Sequence, residues 1–127
     1  MNNLENIHTD AAPAAIGPYS QAVRVGSLIF CSGQIPLVPD TMEIIKGDIA
    51  VQARQVFDNL KAVAEAGETS LDRAVKITIF LTDLGEFTTV NEIMTDYFNE
   101  PYPARATFEV AALPKGASIE IDAVLAV

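Results

Sequence analysis

The spacing of apolar residues switches along this chain between a period of two and a period of about 3.6, and this switching limits the fold more than any other feature. Ser118 to Val127 alternates strongly, with Ile119, Ile121, Ala123, Leu125 and Val127 on one side. Lys76 to Thr82 alternates too, with an apolar side formed by Val75, Ile77, Ile79 and Leu81. Residues 53–64 instead repeat at helical steps, through Ala53, Val56, Phe57, Leu60, Val63 and Ala64. The chain is therefore predicted to combine strands and helices.

The first half of the chain predicts a β-hairpin followed by a long loop and a helix. Ser20 to Val25 and Leu28 to Ser32 are apolar runs on either side of a Gly-Ser turn. Residues 33–47 carry two glycines and two prolines, which is typical of a loop. Asp48 is predicted to cap the helix that follows, and Gly67 to end it.

The second half predicts another helix and two more strands after Lys76 to Thr82. The helix begins near Glu86 and is predicted to end at Pro101 and Pro103. Its apolar face comprises Phe87, Val90, Met94, Tyr97 and Phe98. Thr107 to Ala111 and Ser118 to Val127 are the strands. The predicted fold class is α+β, in the order β-β-α-β-α-β-β, with two helices on one face of a mixed sheet and room for a short extra strand near Ile7.

The second face of this sheet is predicted to be covered by other subunits. The first two strands are apolar on both sides, with Val23, Val25, Leu28, Ile29, Phe30 and Cys31. A two-layer monomer leaves part of such a face in water, so the chain is expected to form a homo-oligomer.

Composition limits the class of protein and its partners. The 127 residues fit one domain, residues 1–127. The net charge is −9, and the eight Lys and Arg residues are scattered, which disfavours nucleic-acid binding. No apolar run approaches the ~18 residues that a membrane helix needs. The N-terminus lacks the pattern of a secretory signal, so a cytoplasmic location without a membrane partner is expected.

The single cysteine and single histidine argue against a metal centre or a thiol nucleophile. Zinc and iron–sulfur sites take three or four Cys or His ligands, and only Cys31 and His8 exist here. No calcium-loop or phosphate-loop motif occurs. No metal or cofactor is therefore expected. Cys31 lies in the apolar run Leu28 to Cys31 and is predicted to be a core residue.

Arg105 and Glu120 are the two charged residues that could carry chemistry, and both have simpler interpretations. Arg105 lies between two prolines and a strand, where its guanidinium could bind a carboxylate in bidentate fashion. A surface arginine near acidic groups is the interpretation that spacing alone favours. Glu120 could act as an acid or base if partly buried. An outward glutamate on a solvated sheet face is the usual case.

Tyr19, Ser32 and Gly33 lie beside predicted turns. Tyr19 follows a Gly-Pro pair and could contact a ligand, although a half-buried tyrosine in a turn is more common. Ser32 and Gly33 could offer a hydroxyl and a backbone N–H to an anion. An ordinary exit from a strand explains them equally well.

These candidate residues lie in four segments, residues 16–20, 31–36, 103–107 and 119–121, which together resemble the signature of the RidA (YjgF-type) family. Residues 12–22 (APAAIGPYSQA) resemble its N-terminal motif, and residues 32–36 (SGQIP) resemble the next one. Residues 83–91 resemble its second-helix region through Asp83, Leu84, Phe87, Val90 and Asn91. The last signature is resembled by Pro103-Ala104-Arg105, Glu109-Val110-Ala111, Leu113-Pro114-Lys115 and Ile119-Glu120-Ile121. The resemblance runs in order through nearly the whole chain.

The resemblance implies a chorismate-mutase-like fold and a homotrimer with a central barrel and sites between subunits. It implies a deaminase that hydrolyses reactive 2-enamines and 2-imines to 2-keto acids and ammonia without a cofactor, and so limits metabolite damage. The enzyme that the resemblance implies is a 2-iminobutanoate/2-iminopropanoate deaminase. Arg105 would hold the substrate carboxylate, Glu120 would activate water, and Tyr19 would complete the catalytic group. The substrate-binding residues would be Ser32, Gly33, Thr107 and Phe87.

One position departs from the family, and two other functions stay open. Many members carry cysteine two residues after the arginine, whereas this chain has Thr107, so a thiol contribution at that position is impossible. The segment Asn99 to Tyr102 is also short compared with that of some family members, so a different rim of the pocket is expected. A non-catalytic protein that binds small carboxylates is the main alternative. A ribonuclease is the third interpretation, and the charge of −9 and the lack of a histidine pair argue against it.

Overall fold

The computed structural model describes residues 3–127, which form two α-helices and a six-stranded sheet. The elements in chain order are β1 (Glu5–Ile7), β2 (Ala22–Val25), β3 (Leu28–Gln34), α1 (Ile49–Ala66), β4 (Ala74–Leu81), α2 (Phe87–Met94), β5 (Ala104–Glu109) and β6 (Ile119–Ala126). The α+β class and the predicted order are confirmed, and the optional strand near Ile7 is present as β1. No helix in residues 3–127 is both long and apolar enough to cross a membrane.

The sheet is mixed, and its strand order is β1-β2-β3-β6-β4-β5. β4 and β5 are parallel, while the other neighbours are antiparallel. The last strand of the chain is therefore central, between β3 and β4, whereas β5 is an edge strand. This difference between β6 and β5 decides how the site residues are held.

Helix α1 forms where the sequence predicts it, because both its ends and its apolar face are locally encoded. The Asp48 carboxylate accepts a hydrogen bond from the Val51 N–H at 3.1 Å. Gly67 caps the other end, and its N–H reaches the last carbonyls of the helix. All six apolar residues predicted to face the core are buried: Ala53, Val56, Phe57, Leu60, Val63 and Ala64.

The predicted end of α2, the predicted bounds of β5 and one predicted orientation are wrong. Helix α2 ends at Met94 rather than at the prolines, and the Thr95 hydroxyl donates to the Glu92 carbonyl at 2.6 Å there. β5 runs from Ala104 to Glu109 instead of from Thr107 to Ala111, so it begins three residues earlier and ends two residues earlier than predicted. Val75 is 47% exposed instead of buried, because the pairing of β4 with β6 is irregular between Ala74 and Lys76.

The side of the sheet opposite the helices is open in one chain and carries large aromatic side chains. Phe30 and Phe108 are 48% and 54% exposed. The Phe108 ring stacks on Phe80 of the neighbouring strand, with 6.2 Å between centroids. Exposed aromatic rings on one sheet face are typical of a contact surface. The homo-oligomer itself stays a prediction.

Candidate active site in two halves

Strand pairing places the two charged candidate residues on opposite sides of the sheet. Arg105 pairs with Ile77, whose buried side chain faces the helices, so Arg105 projects to the helix side. Glu120 pairs with Phe80, and its side chain therefore lies on the open side. Two interstrand spacings of about 4.8 Å and three residues at about 3.3 Å put their Cα atoms about 14 Å apart. One chain therefore does not bring Arg105 and Glu120 together.

Glu120 lies in a groove of about 440 Å³, called here the Glu120 groove. Its polar lining includes Tyr19, Lys115 and Glu120 itself, and its apolar lining includes Ile16 and Ile35. Tyr19 is 55% exposed at the edge of this groove. A mainly apolar groove with a few polar groups is the usual character of a small-molecule site.

The carboxyl group of Glu120 lies directly over the backbone of Gly33. A Cβ atom added at Gly33 would be 2.5 Å from Oε2 of Glu120, which is closer than such atoms approach. Burial raises the pKa of the Glu120 carboxyl above its usual range, and the nearby charge of Asp122 raises it further. A partly buried carboxyl group with a raised pKa holds its proton more readily than an exposed one, which suits a group that accepts and returns protons.

Two buried amide side chains hold the walls of the Glu120 groove. The Gln21 amide accepts from the Thr9 N–H at 2.7 Å and donates to the Pro13 carbonyl at 2.8 Å. The Asn59 amide donates to the Leu37 carbonyl at 2.9 Å. Each side chain ties a loop to the core through backbone groups that are otherwise difficult to satisfy.

Sequence reasoning missed the roles of Gln21, Asn59 and Lys115. Asn59 offered a usable signal, because it is a polar residue between buried Phe57 and Leu60 on the apolar side of α1. Lys115 has a positive φ of 57° in the turn Pro114–Gly116, which brings it to the groove. A left-handed lysine beside a glycine has no clear signature in the sequence.

Arg105 lies in a second cavity of about 380 Å³, called here the Arg105 pocket, which is also lined by Asn91, Met94 and Tyr102. The Arg105 Nη1 donates to Oδ1 of Asn91 at 2.6 Å. The guanidinium carbon lies 4.8 Å from the centre of the Phe87 ring, a cation–π contact. Among residues 3–127, no carboxylate forms an ion pair with Arg105. The positive charge is therefore available to an anionic ligand.

The predicted site residues thus fall into two groups. Tyr19, Gly33 and Glu120 line the Glu120 groove, while Phe87 contacts Arg105 in the Arg105 pocket. Thr107 pairs with Ile79 and lies on the same side of the sheet as Arg105, two residues further along β5.

The hydroxyl of Ser32 has a structural partner in this chain. It donates to the Ser20 carbonyl at 2.5 Å, and the Ser32 N–H donates to the Gln21 carbonyl at 2.9 Å. The hydroxyl proton therefore links β3 to the segment just before β2. Its oxygen can still accept a hydrogen bond.

Cys31 is a core residue, as predicted. The thiol is buried, and burial raises its pKa to about 12, with a smaller contribution from Asp122. A thiol that stays protonated is a poor nucleophile. Within residues 3–127, no three His, Cys, Asp or Glu side chains cluster as metal ligands would.

Comparison with known proteins gives long and consistent matches. The family described as Endoribonuclease L-PSP matches residues 9–127. A RutC family protein (y4sK) of Sinorhizobium fredii is 52% identical over 122 residues, covering 96% of this chain and 97% of that protein. The human 2-iminobutanoate/2-iminopropanoate deaminase is 47% identical over 118 residues, covering 93% of this chain and 86% of the human one. The crystal structure of RidA from the Antarctic bacterium Psychrobacter sp. PAMC 21119 superposes with a TM-score of 0.93 at 50% identity, covering 97% of this chain and 99% of that one.

Proposed function

This chain belongs to the RidA (YjgF-type) family, and from that premise we propose that it hydrolyses reactive 2-enamine and 2-imino acids, such as 2-aminoacrylate, to 2-keto acids and ammonia. The name of the human relative describes this reaction. Other relatives have different names, so the names support the deaminase class more than any one substrate. The observation that carries the proposal is the Glu120 carboxyl group, held over Gly33 in an apolar groove with a raised pKa.

The proposed enzyme is a homotrimer in which the Glu120 groove of one subunit meets the Arg105 pocket of the next. A single chain holds these residues on opposite sides of its sheet, so a complete site needs two chains. The exposed rings of Phe30 and Phe108 supply an apolar contact surface on the open face. Contact there would also remove water from Glu120 and raise its pKa further.

In the proposed mechanism, Arg105 holds the substrate carboxylate and Glu120 transfers protons. An enamine first takes a proton at C3, or a neutral imine takes one on nitrogen, to give the iminium. Glu120 accepts a proton from water as the water oxygen bonds to C2, and the C=N electron pair moves to nitrogen. The resulting carbinolamine gains a proton on nitrogen and loses one from its hydroxyl. The C–N bond then breaks, which releases ammonia and leaves the 2-keto acid.

The remaining predicted residues have supporting roles in this proposal. Tyr19 lines the same groove as Glu120, and its hydroxyl is proposed to orient the water. Phe87 contacts the Arg105 guanidinium, and Thr107 offers a hydroxyl further along β5. Gly33 leaves space for the Glu120 carboxyl group, and Ser32 can accept a hydrogen bond from the substrate. No metal or cofactor takes part in these steps.

A coupled assay tests the proposal directly. A serine or threonine dehydratase supplies the imine, semicarbazide competes for it, and the appearance of pyruvate or 2-oxobutanoate is followed. We expect wild-type protein to accelerate release of the keto acid and Arg105→Ala to lose most of this effect. Equal rates with and without wild-type protein would contradict the deaminase function for these two imines.

A carboxylate-binding protein without catalysis is the second candidate. The observation that favours it is that one chain supplies the lining of the Arg105 pocket with its free positive charge, whereas Glu120 lies in a different groove. Binding of 2-oxobutanoate without accelerated imine hydrolysis would support this candidate.

The other sequence-based expectations stay predictions. They are a single domain over residues 1–127, a cytoplasmic location, and the absence of nucleic-acid and membrane partners. RNA cleavage that is lost in both Arg105→Ala and Glu120→Gln would contradict the expectation about nucleic acid. Cleavage that persists in both variants would indicate a contaminating nuclease.

A further inference from the structure

We propose that Asn91 is the positioning residue for Arg105, and that it must be neutral to leave the guanidinium charge for the substrate carboxylate. This inference rests on the proposed function, since it takes Arg105 as the residue that binds the carboxylate. It assigns a role to a side chain that does not itself need to touch the substrate.

In the hydrogen bond between Asn91 and Arg105, the guanidinium must be the donor and the amide oxygen the acceptor. Oδ1 of Asn91 lies 2.6 Å from Nη1 of Arg105, and a guanidinium can only donate hydrogen bonds. The sulfur of Met94 lies 3.4 Å from the same nitrogen, and the Phe87 ring lies 4.8 Å from the guanidinium carbon. These three side chains are at positions i, i+4 and i+7 of α2, so one helical face holds the guanidinium.

The hydrogen bond to Asn91 leaves part of the guanidinium free. Both protein contacts within hydrogen-bond distance use Nη1, and among residues 3–127 neither Nε nor Nη2 of Arg105 has an acceptor. Nε and Nη2 form one edge of the fork that binds a carboxylate with two parallel hydrogen bonds. A guanidinium that is already oriented loses less conformational freedom when a ligand binds.

The neutrality of Asn91 matters because carboxylates are plentiful in this chain. There are 17 Asp and Glu residues against eight Lys and Arg. Arg54 shows the other arrangement, since it donates to the Asp96 carboxylate at 2.8 Å and is thereby neutralised. An amide at position 91 supplies the same acceptor geometry without a competing negative charge.

Three variants separate the geometry of the contact from its charge. Asn91→Leu removes the acceptor, and Asn91→Asp keeps an acceptor but adds a carboxylate beside Arg105. Asn6→Asp makes the same change of charge on exposed β1, at the opposite edge of the sheet. The probe is 2-oxobutanoate, and its dissociation constant is measured by titration calorimetry on the full-length protein.

We expect Asn91→Leu to weaken binding of 2-oxobutanoate about tenfold, which is typical for one lost hydrogen bond to a charged group. Asn91→Asp should weaken it about fivefold more, the size of an exposed ion pair that competes with the ligand. Added salt should narrow the difference between these two variants. Asn6→Asp should bind as wild type does. Equal or tighter binding by Asn91→Asp than by Asn91→Leu would overturn the proposal.

A second measurement does not depend on the ligand. In ¹⁵N NMR spectra of wild-type protein, we expect restricted rotation of the Arg105 guanidinium to give resolved Nη signals, which merge in Asn91→Leu. Signals that are merged already in wild type, or unchanged in the variant, would refute the positioning role. Resolved signals in a wild-type protein that does not hydrolyse imines would contradict the proposed function while supporting the role of Asn91.

Discussion

The Glu120 groove and the Arg105 pocket are built in different ways within the same chain. Glu120 lies on the central strand β6, and the loops around it are tied to the core by the buried amides of Gln21 and Asn59. Arg105 lies on the edge strand β5 and is held by exposed contacts from the short helix α2. The residue proposed to transfer protons is thus embedded in the core framework, whereas the residue proposed to bind the carboxylate depends on local contacts. Substitutions around Glu120 should therefore affect both stability and catalysis, and those around Arg105 should affect mainly binding.

The largest expected effect comes from Glu120→Gln, which separates catalysis from binding. Loss of the proton-transferring group should lower imine hydrolysis by roughly 10²–10⁴-fold. Binding of 2-oxobutanoate should stay near the wild-type value, because Arg105 is unchanged. The coupled assay and calorimetry measure the two quantities. Equal loss of both would mean that Glu120 mainly supports the structure.

Arg105→Ala should lose binding of the substrate together with hydrolysis, whereas Glu120→Gln should lose hydrolysis alone. If the ion pair with the substrate is desolvated between subunits, its loss should weaken binding of 2-oxobutanoate by roughly 2–5 kcal/mol. The urea midpoint should change little, because Arg105 is exposed and forms no ion pair within residues 3–127. A large fall in the urea midpoint would show that Arg105 also contributes to the stability of the fold.

Asn59→Ala tests the structural side of the comparison. The Leu37 carbonyl loses a buried hydrogen bond at 2.9 Å, so the free energy of unfolding should fall by about 2 kcal/mol. The matched variant Asn91→Ala should cost less than about 0.5 kcal/mol, since its contacts are exposed. Urea denaturation at one protein concentration compares them. Equal costs would remove the proposed difference between the two halves.

Gly33→Ala should displace Glu120 without straining the backbone, because Gly33 has no left-handed φ. The new methyl group would meet the Glu120 carboxyl group at 2.5 Å and force it to move. We expect turnover to fall about tenfold, as misplaced catalytic groups lose rate steeply. When Gly33→Ala is added to Glu120→Gln, turnover should fall little below that of Glu120→Gln alone. If the losses of turnover in the two single variants add up in the double variant, Gly33→Ala does not act through Glu120.

The smallest expected effect is a pH dependence of stability that belongs to Glu120. Because its pKa in the folded protein is raised above the ordinary value of 4.5, the folded state binds this proton more tightly than the unfolded state. This contribution to stability is therefore complete below pH 4.5 and is lost as the pH rises through the raised pKa. The difference in urea midpoint between wild type and Glu120→Gln should change across this interval. A difference independent of pH would contradict the raised pKa.

Local features of the sequence predicted the fold well where a local signal decided the outcome. Helix α1 carries its cap at Asp48, its stop at Gly67 and its apolar face within one segment, and all three predictions are confirmed. The end of α2 was misjudged because Phe98 still packs into the core beyond the helix, with its ring centre 5.7 Å from that of Phe57. The irregular pairing at Val75 depends on β6, which is about 50 residues away in sequence. The residues next to Val75 therefore do not predict it.

The sequence offers the residues of the candidate site, but it does not offer their arrangement. The family resemblance points to Arg105 and Glu120. The alternation of apolar residues predicts, for each of the two, which face of its own strand the side chain occupies. Whether those sides coincide depends on the pairing of β4 with both β5 and β6, which is a non-local property. The contacts that hold the two halves, at Asn59 and Asn91, depend on the same tertiary packing.

The parallel pairing of β5 with β4 also sets a rule for changes in chain length. Arg105 faces the helices only while it stays opposite Ile77, since a shift by one residue turns every side chain of β5 to the other face. An inserted or deleted residue between Thr95 and Pro103 changes a connection and leaves this register intact. The same indel within Ala104–Glu109 would turn the part of β5 on one side of it to the other face, and so separate Arg105 from Asn91 or Phe108 from Phe80. Length variation among functional relatives is therefore expected in the connection and not in the strand.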